Sequence, residues 1–159
     1  MKKSIFKMTL ILGAMLLILG SCSKKNDDNP TLPTQLGGSF ELVINDVAIA
    51  NETTEDVGML DDLITVGRDT GLGIIIVKVP RTVGGVTNIG DGDEDGSVTI
   101  SGENLLNTDG SAEVYFSVSG TITRVSATKV SFQGTCNSFG TTGVYSFSGY
   151  AESEAFKII

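Results

Sequence analysis

From Phe40 to the C-terminus no stretch repeats its apolar residues at the helical period; where they repeat, they do so every second residue. Ala112, Val114, Phe116 and Val118 alternate with Glu113, Tyr115, Ser117 and Ser119, and Val130, Phe132, Gly134 and Cys136 alternate with Ser131, Gln133 and Thr135. A period of two belongs to strands with one face in the core and one in water, so the apolar set of each segment is expected inside. Gly73–Val79 ends at Pro80, which cannot donate to a ladder, and its Ile74–Val77 run lacks alternation, as in a strand covered on both faces. Phe40–Ile44, Val47–Ala50, Leu63–Val66, Ser97–Ser101, Gly120–Thr123, Gly143–Tyr150 and Ala155–Ile159 are further strand candidates. Asn45-Asp46, Gly84-Gly85, Asp91-Gly92, Asp109-Gly110 and Gly140 supply turns between them, and Glu55–Leu63 suggests one short turn of helix. The expected fold is all-β, an antiparallel β-sandwich of about eight to ten strands, with a small closed lipocalin-like β-barrel as the alternative.

The front of the chain has a different character. Lys2, Lys3 and Lys7 precede an uncharged apolar stretch, Met8–Leu19, which is shorter than the roughly 20 residues a membrane-spanning helix needs. This is the layout of a secretory signal. Leu19-Gly20-Ser21-Cys22 resembles the lipobox of bacterial lipoproteins, in which cleavage leaves the cysteine as the lipid-carrying first residue. The resemblance implies a leader over residues 1–21 and lipidation at Cys22. Several acyl chains, each buried CH₂ contributing about 0.8 kcal/mol, make such an anchor lasting. Position 23 is Ser rather than the aspartate that retains lipoproteins in the inner membrane, and Cys22-Ser23-Lys24-Lys25-Asn26-Asp27-Asp28 resembles the acidic export signal of surface lipoproteins in Bacteroidota. The expected location is the outer membrane, with the domain either exposed on the cell surface or facing the periplasm. Residues 22–38, with Pro30, Pro33 and a Gly pair, read as a tether. It would span roughly 20–25 Å as coil and about 50 Å as polyproline II. Residues 39–159 read as a single domain.

Composition removes whole classes of function. The chain has no histidine, so Ser-His-Asp and Cys-His catalysis and His-ligated zinc or haem cannot be built. Loss of the leader's three lysines takes the net charge from −8 to about −11, which argues against nucleic acid as a partner. With Cys22 lipidated, Cys136 has no disulfide partner, and its place among alternating apolar residues reads as a small buried hydrophobe.

Ile44–Ala50, Ile74–Pro80 followed by Thr82–Gly85, Ser119–Thr123 and Lys129–Thr135 resemble, in that order, the strands of small Bacteroidota outer-membrane lipoprotein domains of unknown function. The resemblance implies a β-fold and an envelope address and brings no catalytic residues. Ala48 and Ile49 stand where such domains often carry an aromatic residue.

One segment carries possible metal chemistry. Asp91-Gly92-Asp93-Glu94-Asp95-Gly96-Ser97 fits the first half of a calcium loop, with Asp91, Asp93, Asp95 and Ser97 as candidate ligands for Ca²⁺. Position twelve is Gly102 rather than an acid, so an EF-hand is excluded; the alternative is an acidic, solvated hairpin tip. Asp61-Asp62 and Glu152/Glu154 are the carboxylate pairs to weigh for glycoside hydrolysis, which needs two carboxyls roughly 5–10 Å apart across a cleft; both read more simply as solvated surface. Tyr115, Tyr145 and Tyr150 are candidate sugar-stacking rings. The expected function is a lipid-anchored, non-enzymatic binding or interaction module for a glycan or an envelope protein. The alternatives are an accessory subunit of an outer-membrane complex and a carboxylate hydrolase.

Overall fold

The computed structural model describes residues 36–67, 71–92, 95–139 and 142–158, and the side chains of Leu36, Glu52, Glu55 and Ile158 are left aside. The leader, Cys22 and the tether up to residue 35 therefore lie outside the described residues.

The described chain is nine strands and one 3₁₀ turn: β1 (Leu36–Ile44), β2 (Val47–Leu60), β3 (Leu63–Gly67), β4 (Gly73–Val77), β5 (Val86–Ile89), β6 (Ser97–Glu103), β7 (Ala112–Arg124), β8 (Lys129–Ser138), β9 (Val144–Ser153) and the turn Glu154–Ile158. The all-β, antiparallel expectation holds, and β1 begins slightly before Ser39. Every ladder is antiparallel, in the order β5-β7-β6-β4-β3-β2-β1-β9-β8. A further ladder joins β8 to β7. The hydrogen-bonded path therefore runs β1-β2-β3-β4-β6-β7-β8-β9 and returns to β1. This is an up-and-down meander curled on itself, the barrel-like of the two expected arrangements. A ring of about eight strands leaves an interior that side chains can just fill.

β5 is not an extra layer. It pairs with residues 120–123 of β7, while β6 pairs with residues 112–116 on the same edge. The two are successive pieces of one strand line, with a connecting segment entered at Ile89 and left at Gly96. A bridge between Ile89 and Gly96 and a bond from the Gly96 N–H to the Asn88 carbonyl (2.7 Å) close its neck.

Inward positions are apolar around the ring: Phe40, Leu42 and Ile44 on β1, Ile64 and Val66 on β3, Ile74 and Ile76 on β4, Val98 and Ile100 on β6, and Val130, Phe132 and Cys136 on β8. The largest rings need small neighbours. Phe132 lies opposite Gly149 and Phe147 opposite Gly134, and the two rings stack at 6.2 Å. A Cβ on Gly134 would sit 1.9 Å from the Ser119 carbonyl oxygen, and one on Gly149 2.1 Å from that of Glu41. Glycine lets the strands close in and bend there.

Three local expectations are corrected. β2 continues as strand through Leu60, so Glu55–Leu63 holds no helical turn; its ladder with β3 supplies the hydrogen bonds a helix would have made. Ala155–Ile159 is not a strand: Glu154–Ile158 is a 3₁₀ turn that buries Ala155 and Phe156 against the core. The third concerns β7. Its first half buries Glu113 and Tyr115 and turns Ala112, Val114, Phe116 and Val118 outward, the reverse of the expected faces. The cause is a bulge. Ser117 pairs with Cys136 and Ser119 with the adjacent Thr135, so Val118 is an extra residue and the parity flips beyond it. Ile122 and Arg124 point inward although they share sequence parity with Phe116.

Candidate functional site

The outer wall of β7, β8, β9 and β1 carries the strongest candidate surface. Because Val130, Phe132, Phe147 and Ala151 point inward, Ser131, Gln133, Ser148 and Tyr150 point outward, as do Thr121 and Thr123 beyond the bulge. They line two adjoining shallow depressions of about 450 and about 320 Å³ that share Thr121, Gln133 and Ser148. Gly120, Gly134 and Gly149, where strands approach closely, form part of the floor. Asp46 borders the first depression and Glu41 the second. The rest of the lining is hydroxyl, amide and ring, with Val43 the one aliphatic side chain. Lys129 sits 3.6 Å from the centre of the Tyr150 ring and 3.8 Å from a Glu152 carboxylate oxygen, marking the end of the trough with a small charge network. The trough offers donors and acceptors in rows, with strand spacing between them, and little net charge.

The tyrosine expectation is corrected for Tyr145, which shares the inward parity of Phe147 and packs partly buried against the core, and for Tyr115. Its ring is inside, edge-on to Tyr145 at 5.6 Å, and its hydroxyl donates to a Glu113 Oε2 at 2.6 Å. The other Glu113 oxygen accepts the N–H groups of Leu106 (3.0 Å) and Asn107 (3.1 Å). Burial pushes the Glu113 carboxyl up, but the Tyr115 hydroxyl and the amides of Asn107, Leu106 and Leu105 outweigh it and hold the group below its ordinary value. Burial, then the Glu113 hydrogen bond and charge, push the Tyr115 hydroxyl well above its usual range. This buried pair ties the β6–β7 loop to the core. Sequence alternation alone pointed to the opposite face, and the pattern Glu-x-Tyr at strand spacing was the available signal.

Arg124 is likewise inside. Its Nε donates to the Ser126 carbonyl at 3.0 Å, and one Nη donates to the Ala127 carbonyl at 2.8 Å and to that of Phe156. The other Nη is buried and has no hydrogen-bond partner among the described residues. Burial lowers the guanidinium's pKa.

The calcium candidates fall on the loop between β5 and β6. Asp91 is exposed, Ser97 opens β6, and Asp93 and Glu94 lie outside the described residues. The Asp95 carboxylate turns back to accept the Gly92 N–H at 2.8 Å, pinning its own loop. Among the described residues no three metal-ligating acids, histidines or cysteines come together. The carboxylate pairs occupy separate places. Asp61 and Asp62 form the β2–β3 turn, with Asp61 at a φ of 53°. Glu152 faces Lys129 on β9, whereas Glu154 pairs with Lys157 in the 3₁₀ turn. Cys136 is buried, as expected, and burial pushes its thiol up to about 11.

No family model, characterised protein or solved structure matches this chain.

Proposed function

We propose that this chain is a lipid-anchored lipoprotein of the outer membrane whose β-domain is a non-enzymatic binding module, with the trough over β7, β8, β9 and β1 as its ligand surface and a glycan as the ligand. The observation that carries the reading is the lining: Thr121, Thr123, Ser131, Gln133, Ser148 and Tyr150 face one open trough. Rows of hydroxyls and an amide match the hydroxyls of a neutral sugar chain, and an open wall suits an extended polymer better than a small substrate. The charged leader, its short apolar run and Cys22 support the anchor.

Two measurements test it. A glycan array probed with the mature chain is expected to give hits that weaken about tenfold or more with Gln133→Ala and Tyr150→Ala, each lost contact being worth on the order of 1.5 kcal/mol. Binding unchanged by both variants would remove the trough from the account. Protease added to intact cells is expected to degrade the domain while a periplasmic control survives. Survival of both would move the module to the periplasmic side and its ligand with it.

A further inference from the structure

On the reading of the β7, β8, β9 and β1 trough as a glycan surface, its charged groups narrow the class of sugar it takes. The two depressions succeed one another along the strands. One takes in Gln133, Ser146 and Ser148, the other Ser131, Gln133, Ser148 and Tyr150. The step between them is two residues, roughly 7 Å at the rise of a strand. Each depression has one carboxylate on its β1 flank, Asp46 in the first and Glu41 in the second. Glu41 points outward because Phe40 and Leu42 point inward, and it lies opposite Tyr150. Neither carboxylate has a hydrogen bond or ion pair among the described residues. Among those residues no lysine or arginine lines either depression. Lys129, at the trough's end, is already engaged by the Tyr150 ring and Glu152.

The trough's charge is sparse, but the groups that line it are of one sign. A cleft lined by one sign of charge concentrates the opposite sign, and the acidic chain, at −8, adds to the field. Sugars bearing carboxylates or sulfates are repelled. A neutral sugar satisfies the hydroxyl rows and leaves both carboxylates without a counter-charge. Amines on successive sugars give each depression a charge-assisted hydrogen bond, which is stronger than a neutral one. A basic peptide carries the same charge but fits the wall poorly. β7, β8, β9 and β1 are laddered to one another, so no strand edge in the trough is open to a peptide backbone. Val43 is the one aliphatic liner, so apolar side chains find little to pack on. We propose that the trough selects a glycan with free amino groups, and that Glu41 and Asp46 are the residues that set this specificity.

Titration calorimetry on the full mature chain in detergent tests this, with short oligomers of glucosamine, of N-acetylglucosamine and of a uronic acid, and with oligolysine. The glucosamine oligomer is expected to bind at least about tenfold tighter than its N-acetyl counterpart at low salt, and the gap to narrow as salt is raised. Glu41→Gln and Asp46→Asn are each expected to weaken the glucosamine oligomer about fivefold and to leave the N-acetyl form unchanged. The double variant should lose about 25-fold, since the two sites are far enough apart to add. Asparagine tolerates the positive φ of 64° at position 46, so the turn is kept, and an unchanged melting temperature confirms it. N-acetyl or uronic acid oligomers that bind as tightly as glucosamine, and still respond to Gln133→Ala, overturn the amine preference and leave the glycan surface standing. A preference indifferent to both carboxylate variants overturns the assignment of Glu41 and Asp46. Oligolysine binding as tightly as glucosamine, untouched by Gln133→Ala, makes the ligand a basic peptide and overturns the proposal. No binding of any sugar overturns it together with the glycan reading.

Discussion

At the scale of single residues, one buried polar side chain, Arg124, holds two of the domain's turns together. Arg124 gathers the carbonyls of Ser126, Ala127 and Phe156, so one guanidinium joins the β7–β8 turn to the C-terminal 3₁₀ turn. Among the described residues no carboxylate pairs with it, and its hydrogen bonds go to carbonyls. Replacing it with methionine keeps much of the apolar stem but leaves those carbonyls without their donor. Hydrogen bonds to charged groups are worth about 1.5–3 kcal/mol each, and a buried acceptor left unpaired costs a similar amount. Arg124→Met is therefore expected to lower the unfolding free energy by on the order of 3 kcal/mol, read as a shift in urea midpoint at unchanged slope. Midpoints that coincide would mean the turn carbonyls find water once the guanidinium is gone.

Elements show where sequence patterning succeeds and where it fails. Val130–Cys136 reads correctly because β8 is regular and its alternation survives from end to end. Asn45-Asp46 reads correctly because both residues adopt positive φ, 51° and 64°, as a two-residue hairpin turn requires. The close approaches behind Gly134 and Gly149 are invisible in sequence, yet they have a sharp consequence. Gly134→Ala would set a methyl 1.9 Å from a backbone oxygen, where no side chain can swing away. It is expected to cost on the order of 3 kcal/mol or to prevent folding, measured as melting temperature or soluble yield; a normal melt would show that the β7–β8 crossing can widen. In β7 the failure is instructive. Ala112, Val114, Phe116, Val118 and Ile122 share one parity, and a straight strand would bury them together. Nothing in the composition of Ser117-Val118-Ser119 announces the extra residue, although a Ser119–Thr135 hydroxyl contact of 2.8 Å fastens it. The acidic loop behaves similarly: its glycines and aspartates announce a turn, but not that it interrupts one strand line. The trough was legible only in part. The polar face of β8 was plain, while its continuity with β7, β9 and β1 depends on ring order, which alternation does not encode.

For the molecule as a whole, charge and the buried carboxylate pull stability in opposite directions as pH changes. Self-repulsion of a strongly acidic chain weakens the folded state near neutrality and fades only where the carboxylates protonate, below about pH 5. Glu113 acts the other way. Its carboxyl is held below the ordinary value of about 4.5 in the folded chain. The unfolded state therefore takes up the proton first, and the contribution of Glu113 is complete above that value and drains away as pH falls through its folded pKa. Asp109, fully exposed and lowered by its hydrogen bonds with Ser111, adds to the loss in the same direction. The expected stability profile is level from pH 7 to 5, where a chain without histidine has almost nothing to titrate, then falls below about 4.5 as the β6–β7 loop loses its anchor. Glu113→Gln separates the two effects. The amide keeps an acceptor for one neighbour but has no charge, so the variant is expected to be less stable at pH 7 by roughly 1.5–3 kcal/mol. The gap between the two proteins should then narrow steadily as pH drops below about 4.5, while the two profiles stay parallel from pH 7 to 5. Urea midpoints at half-unit steps of pH measure all of this at once. A gap that stays constant into acid would show that Glu113 matters for its shape and hydrogen bonds rather than its ionisation, leaving the acid limb to the exposed carboxylates.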